Sequence, residues 1–252
     1  MILTVDIGNT IIAVGGFEGD MLAFVVRLAT NIKETSHEYA AKLDSILRLS
    51  DTETHSLTAA VISSVVPQLT GTIREALKIA FGIDALSVGP GVKTGINIHC
   101  DDPSSVGADL ICVSVAAAKK YGSPCIIVDM GTATKIIHLG KNGTFEGVAI
   151  LPGAEISLSA LADRTAQLPH IALTAPDSAI GKNTIDSMRS GAVFGAAAAV
   201  DGMIDRFFFE IGEALPIIIT GGLAGTVAAG EDDAAVFASG RRSRSHRSER
   251  NI

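Results

Sequence analysis

The chain has 252 residues, of which 47% are hydrophobic and none is tryptophan, and this length can build one large or two small domains. Its formal net charge of −7 argues against general nucleic-acid binding, and it contains no run of about 20 uncharged apolar residues that would predict a membrane span. Because a strand pattern starts at the second residue, we expect no signal peptide before it.

The first half of the chain alternates strand and helix patterns. Three strands are predicted in a meander over 2–6, 11–17 and 21–28, with Gly19-Asp20 as the second turn. An amphipathic helix over 36–49, with Ser36 as its candidate N-cap, leads to a buried strand over 57–63. A helix over 67–81, a short strand over 85–88, a polar loop over 91–105 and an alanine-rich helix over 108–121 complete this half.

The second half repeats this plan. Strands are predicted over 126–129, 135–139 and 143–150, with Lys141-Asn142-Gly143 as a hairpin turn, followed by helices over 155–161 and 187–211 and a strand over 216–220. Gly191 and Gly195 share one face of the long helix and would allow close backbone packing there. We therefore expect two lobes, 1–118 and 119–230, followed by a tail over 231–252.

The tail and the cysteines bear on location and partners. The segment from 240 to 252 holds five arginines and one acidic residue; a disordered basic end is the favoured interpretation, and contact with RNA or membrane the alternative. The three cysteines, Cys100, Cys112 and Cys125, include no C-x-x-C pair. This pattern is typical of reduced thiols in a cytoplasmic protein and argues against a zinc site.

An internal repeat carries the chemistry. Residues 2–10 and 126–134 each read as an apolar strand that delivers one carboxylate, then a glycine, then a threonine. Asp6 and Asp129 would lie at strand ends, where a carboxylate can bind a hard cation, and Gly8 and Gly131 would allow a tight turn close to a ligand. The alternative for either copy alone is an ordinary hairpin with Asp and Gly as turn formers, but two matched copies predict half-domains that present acids to a shared nucleotide cleft.

Several short motifs, in this order and spacing, resemble type III pantothenate kinase from residue 1 to about 229. They are Asp6-Ile7-Gly8-Asn9-Thr10, Gly107-Ala108-Asp109, the Asp129–Thr134 repeat, Pro152-Gly153, Asn183-Thr184 with 187–191, and Thr220-Gly221-Gly222. The resemblance implies an α/β fold with two ribonuclease H-like lobes of the acetate and sugar kinase, Hsp70 and actin superfamily. It also implies ATP-dependent phosphorylation of pantothenate, Mg²⁺, a K⁺ or NH₄⁺ ion, and a homodimer with the substrate pocket at its interface.

The resemblance also assigns roles to individual residues. Asp109 matches the catalytic base, whereas its sequence context alone suggests a helix-capping residue. Asp6 would lie near Mg²⁺ and Asp129 at the monovalent cation. ATP would contact Ile7, Gly8, Asn9, Thr10, Gly131, Thr132, Gly221 and Gly222. Pantothenate would contact Cys100, Gly107, Ala108, Asp109, Leu110 and Thr184, although a hydroxyl near a helix start explains Thr184 equally well.

The chain departs from the family pattern at three places. Leu110 stands where the family has an arginine, Cys100 stands where it has an aromatic residue, and the segment after Gly230 lacks the family's apolar end. The missing arginine predicts a loss of roughly 1.5–3 kcal/mol of acceptor binding, the scale of a hydrogen bond to a charged group. Two functional classes follow: an active pantothenate kinase with a compensated or altered acceptor pocket, and a non-catalytic nucleotide-binding relative with a regulatory role. A filament-forming protein related to actin is a distant third.

Overall fold

The computed structural model describes residues 1–49, 57–227 and 236–237. Within them the chain forms two compact units, one built from residues 1–95 and 101–113, the other from 96–100 and the residues after 113. Of the basic tail, only Val236 and Phe237 belong to the described residues, so its predicted disorder lies outside them. No helix in the described ranges is long and apolar enough to cross a lipid bilayer.

The first unit is built on a five-stranded mixed sheet. Strands β1 (Ile2–Ile7), β2 (Ile11–Glu18) and β3 (Met21–Ala29) form the predicted antiparallel meander. Strands β4 (Ala59–Ser64) and β5 (Leu86–Ser87) extend the sheet in parallel on the other side of β1. Since β1 lies in the middle of the order β3-β2-β1-β4-β5, the carboxylate it carries is held by two neighbouring strands.

Helices α1 (Ser36–Leu49) and α2 (Pro67–Phe81) pack on this sheet and enclose the core. The core includes the fully buried Tyr39, Leu43, Ile73 and Leu77 of the helices, against Val5 and its neighbours in the strands. The cap of α1 is Thr35 rather than the expected Ser36: the Thr35 hydroxyl accepts from the amide of Glu38, and the Glu38 carboxylate accepts from the amide of Thr35 at 2.7 Å. This reciprocal capping box places the N-cap one residue earlier.

The second unit contains the second sheet, with the order β10-β9-β6-β7-β8. Its strands are β6 (Cys125–Met130), β7 (Ala133–Leu139), β8 (Phe145–Pro152), β9 (Ile217–Thr220) and β10 (Val236–Phe237). The helices are α4 (Ala154–Arg164), α5 (Thr184–Ile211) and the short α6 (Ala224–Val227). Helix α3 (Ala108–Tyr121) begins in the first unit and ends in the second. The turn predicted at 141–143 is confirmed, since Asn142 and Gly143 both have positive φ.

The repeat in the sequence corresponds to a repeat in sheet topology. In both sheets the first strand pairs antiparallel with the second, the second pairs antiparallel with the third, and the first pairs parallel with a fourth that follows a helix. The two acids occupy equivalent registers: Asp6 lies between Ala13 and Ser63, and Asp129 lies between Lys135 and Thr220. The fifth strand breaks the likeness, because β5 joins in parallel and β10 in antiparallel fashion.

The predicted start of the long helix α5 is wrong. The helix begins at Thr184, three residues before the predicted Ser187, because Asn183 caps it by accepting a hydrogen bond from the amide of Asp186 at 2.9 Å. A Cβ atom on Gly191 or Gly195 would have nothing within 4 Å among the described residues. The glycine pair therefore mediates no close packing within this part of the chain.

Candidate active site

In the first unit, a serine hydroxyl holds the Asp6 carboxylate. Asp6 is the second-last residue of β1, and its side chain points to the open face of the strand, between buried Val5 and Ile7. Ser63, its register partner in β4, donates from Oγ to Asp6 Oδ1 at 2.9 Å. Ser63 is one of few buried polar side chains in the described structure, with 7% of its surface exposed. One carboxylate oxygen is thus fixed by a neutral donor, which adds no positive charge beside Asp6.

Cys112 connects this pair to Asp109. The thiol lies one helical turn after Asp109 on α3. Burial raises the pKa of the Cys112 thiol, the nearby Ser63 hydroxyl opposes that shift, and the charges of Asp6 and Asp109 add to it. Both carboxylates therefore lie within electrostatic range of one thiol. The first unit brings together the two acids that the sequence assigned to cation binding and base catalysis.

Asp109 is placed by the start of α3. It lies in the first turn of the helix, where backbone amides stabilise a negative charge. Its carboxylate folds back over Gly107: a Cβ atom there would lie 2.5 Å from Asp109 Oδ1. Gly107 contributes to the site through its missing side chain, and its carbonyl accepts a hydrogen bond from the amide of Ile111.

The turn between β1 and β2 is tight and internally bonded. The amide of Gly8 donates to the carbonyl of Ile11 at 3.0 Å, and a Cβ atom on Gly8 would approach that carbonyl to 2.9 Å. Thr30, just after β3, fixes the turn from outside by donating from Oγ1 to the carbonyl of Gly8 at 2.7 Å and from its amide to the carbonyl of Thr10. Sequence reasoning missed Thr30, since its only signal is a hydroxyl residue at the end of an edge strand.

The side chains of that turn divide into two groups. Ile7 is fully buried in the core, and its carbonyl accepts from the amide of Val65, so its side chain has no access to a nucleotide. Asn9 and Thr10 are exposed polar residues at the tip. Any phosphate contact from this motif therefore has to come from residues 8–10 and from the backbone.

In the second unit, the equivalent acid is paired with a lysine. Asp129 Oδ2 lies 2.9 Å from Lys135 Nζ, and the two residues are direct cross-strand neighbours on β6 and β7. Their side chains are 20% and 19% exposed, respectively. The position that holds Ala13 in the first unit thus holds a cation in the second.

Glycines hold the turn after β6 against two other segments. A Cβ atom on Gly153 would lie 2.3 Å from the carbonyl oxygen of Thr132, and one on Gly221 would lie 2.4 Å from the carbonyl oxygen of Met130. Gly221 also has a φ of +101°, which side chains other than glycine rarely adopt. Gly131, Thr132 and Gly221 are therefore brought together near the end of β6, whereas Gly222 has no such restriction.

The residues expected to contact pantothenate lie in both units. Ala108 and Leu110 are buried at the start of α3, with 8% and 7% of their surfaces exposed. Cys100 is a free, partly exposed thiol that follows the bridge between Ile98 and Phe145. Thr184 is the first residue of α5 and is exposed.

Comparison with known proteins decides the family. The family model for type III pantothenate kinase matches residues 2–206. The chain belongs to the type III pantothenate kinase family. A type III pantothenate kinase of Shouchella clausii is 42% identical over 227 residues, covering 89% of this chain and 88% of the relative. A second type III pantothenate kinase, from Geotalea daltonii, is 40% identical over 228 residues, covering 90% of this chain and 89% of the relative.

Solved structures confirm the predicted fold class. The activator of 2-hydroxyisocaproyl-CoA dehydratase from Clostridium difficile, solved with bound ADPNP, superposes with a TM-score of 0.52 at 12% identity, covering 90% of this chain and 81% of that one. Component A of (R)-2-hydroxyglutaryl-CoA dehydratase from Acidaminococcus fermentans superposes with a TM-score of 0.50 at 17% identity, covering 89% of this chain and 84% of that one. The predicted α/β fold of two related sheets is therefore present.

The residues present fit a magnesium–nucleotide complex. Magnesium bound to a nucleotide takes one or two protein carboxylates and completes its octahedron with phosphate oxygens and water. Asp6, fixed by Ser63 at a strand end beside a glycine turn, would supply one carboxylate to such a complex.

The monovalent cation fits less well. The resemblance implies K⁺ or NH₄⁺ at Asp129, but a carboxylate oxygen of Asp129 already accepts a hydrogen bond from the ammonium group of Lys135. A further monovalent ion on this carboxylate would face a fixed positive charge.

Proposed function

We propose that this chain transfers the γ-phosphoryl group of ATP to the primary alcohol of pantothenate, forming 4'-phosphopantothenate and ADP in the first step of coenzyme A biosynthesis. The observation that carries the proposal is the family match over residues 2–206. It is supported by the clustering of Asp6, Ser63, Cys112 and Asp109 in one unit. The reaction involves ATP and a divalent metal, in keeping with the family.

Asp109 would act as the general base. It would orient the pantothenate hydroxyl and accept its proton as the new O–P bond forms and the bond between the β- and γ-phosphates of ATP breaks. The first turn of α3 places the carboxylate over Gly107. Magnesium, when bound with ATP, supplies positive charge to the transferring phosphoryl group.

The other motif residues would bind the two substrates. Asp6 would hold the magnesium complex, and Gly8, Asn9 and Thr10 would contact phosphate oxygens. Gly131, Thr132 and the backbone at Gly221 and Gly222 would contact the nucleotide. Pantothenate would contact residues at the start of α3 together with Cys100 and Thr184, with Leu110 replacing the arginine of the family.

We further propose a homodimer whose interface completes the pantothenate pocket. Helices α4 and α5 pack on each other and carry exposed apolar side chains, including Ile156, Leu161 and Phe194, which are 45%, 43% and 38% exposed. Exposed apolar groups of this kind are characteristic of association surfaces. Light scattering after size exclusion should give twice the chain mass, and Phe194→Asp should shift the protein toward the monomer.

We place this enzyme in the cytoplasm, where its three unpaired thiols would stay reduced.

One assay tests the activity. Purified protein with ATP and Mg²⁺ is monitored for ADP release with and without pantothenate, and the product is identified by mass. Pantothenate-dependent ADP release with one phosphate added to pantothenate is the expected result. Nucleotide binding without pantothenate phosphorylation would contradict the proposal and favour the non-catalytic alternative.

A further inference from the structure

The two halves of the chain differ at one position beside their equivalent acids. Asp6 has Ala13 as its antiparallel neighbour, whereas Asp129 has Lys135. Because the strand order and register around both acids are the same, the lysine is a feature of the second half alone. It places a positive charge where the first half has a methyl group.

The geometry makes Lys135 a built-in counterion. Its ammonium lies 2.9 Å from Asp129 Oδ2, at hydrogen-bonding distance, and both side chains are about four-fifths buried. The two strands also fix both backbones, so little conformational freedom has to be lost to form the pair. A largely buried pair of this kind is screened by salt much less than a surface ion pair.

We propose that the Lys135 ammonium takes the place of the monovalent cation at Asp129, so that catalysis by this protein does not require K⁺ or NH₄⁺. A lysine side chain ends in an alkylammonium group, which resembles NH₄⁺ in carrying a compact unit charge and has three N–H donors. With its charge already balanced, Asp129 has little affinity for a second monovalent cation. This inference rests on the proposed kinase function for its activity readout, but not for its binding readout.

The activity test compares potassium chloride with choline chloride at equal ionic strength. Wild-type turnover should differ by less than about twofold between the salts, because the positive charge is part of the chain. Lys135→Met removes the charge at similar side-chain length and leaves Asp129 uncompensated. The turnover of this variant in choline chloride should be about tenfold or more below that of the wild type, and potassium or ammonium should restore it. Lys135→Arg retains a cation and should stay independent of potassium.

A matched control separates the pair from general charge effects. Lys141 is an exposed lysine in the turn between β7 and β8. Lys141→Met makes the same chemical change outside the proposed site, so it should behave like the wild type in both salts.

Thermal unfolding gives a readout that needs no catalysis. An ion that binds only the folded state raises Tm. Potassium should therefore raise the Tm of Lys135→Met above its value in choline, and should leave the wild-type Tm unchanged.

Three outcomes would overturn the inference: a wild type that requires potassium, a wild-type Tm that potassium raises, or a Lys135→Met protein that potassium neither activates nor stabilises. If Lys135→Met fails to fold, the potassium titration of the wild type decides. If the wild type phosphorylates no pantothenate in either salt, the proposed function fails, and the Tm comparison still decides the cation question.

Discussion

Ser63 Oγ donates a 2.9 Å hydrogen bond to Asp6 Oδ1, joining two parallel neighbouring strands at the point where both end. The serine is buried, while the aspartate lies on the open face of β1. A buried donor thus orients an exposed acid on the same face of the sheet. Ser63 also opposes the rise in the pKa of the Cys112 thiol, so this serine interacts with a residue of the helix that carries Asp109.

Ser63→Ala tests this orienting role. Loss of a hydrogen bond to a partly exposed carboxylate should lower kcat by about three- to thirtyfold, with KM for ATP less affected. Ser63→Thr retains the hydroxyl and should restore most of the loss. Ser64→Ala is the control: the Ser64 hydroxyl accepts from the amide of Val66 before α2, so its removal should lower Tm without the change in kcat. An unchanged kcat in Ser63→Ala would remove the orienting role.

Asp109→Asn tests the base. The amide keeps the size of the side chain but cannot accept the alcohol proton, so kcat should fall by roughly 10²–10⁴-fold. The Kd of ATP should change little, since the phosphate contacts are assigned to other residues. The matched control is Asp101→Asn, at an exposed acid in the preceding loop, which should retain wild-type turnover. Near-normal kinetics in Asp109→Asn would exclude the role of Asp109 as base.

The strand and helix pattern was predictable from the sequence because local signals agree with the final packing. The meander, the hairpin at Asn142 and the repeated acids follow from apolar runs bounded by glycine turns. Helix boundaries were less predictable, because Thr35 and Asn183 compete with nearby candidate caps and only their hydrogen bonds decide. The short β10 and α6 carry too few residues for any periodicity.

The carboxylates of the site were predictable from the sequence, but their partners were not. Asp6, Asp109 and Asp129 stand in recognisable motifs, whereas Ser63, Thr30 and Lys135 reach them through strand register and tertiary contacts. Register follows from sheet pairing, which depends on contacts distant in sequence. Asp6 and Ser63 are 57 positions apart.

The two adjacent glycines after β9 should respond differently to substitution. Gly221→Ala would force a Cβ atom into the backbone of Met130 at a residue with φ of +101°, so unfolding free energy should fall by at least about 2 kcal/mol. Gly222→Ala meets nothing within 4 Å in the described structure and should cost far less. Denaturant unfolding of both variants measures the difference. Equal losses of unfolding free energy in the two variants would mean that the turn relaxes around a new side chain at either position.

Burial of Cys125 predicts a pH dependence of stability. Burial raises the pKa of the Cys125 thiol to about 11, from a usual value of 9.0. Above pH 9 the folded state therefore keeps a proton that the unfolded chain releases. The contribution of this thiol to the free energy of unfolding is fully present below pH 9 and is lost as pH rises toward 11. The loss attributable to this group is about 1–3 kcal/mol. In Cys125→Ala the free energy of unfolding should depend less steeply on pH between these values. An unchanged dependence would mean that other groups cause it.

Leu110→Arg tests whether the acceptor site has adapted to the missing arginine. Leu110 is only 7% exposed at the start of α3, so an arginine placed there would have to bury its charge or displace its neighbours. We therefore expect a lower Tm and no gain in kcat/KM for pantothenate, with ATP binding retained. Leu110→Met, which preserves side-chain volume, should behave like the wild type and provides the control for packing. Steady-state kinetics with pantothenate and thermal unfolding of the three proteins measure both effects. A rise of about tenfold or more in kcat/KM for Leu110→Arg would contradict this expectation. It would show that an arginine at this position still reaches the substrate and that the natural leucine weakens its binding.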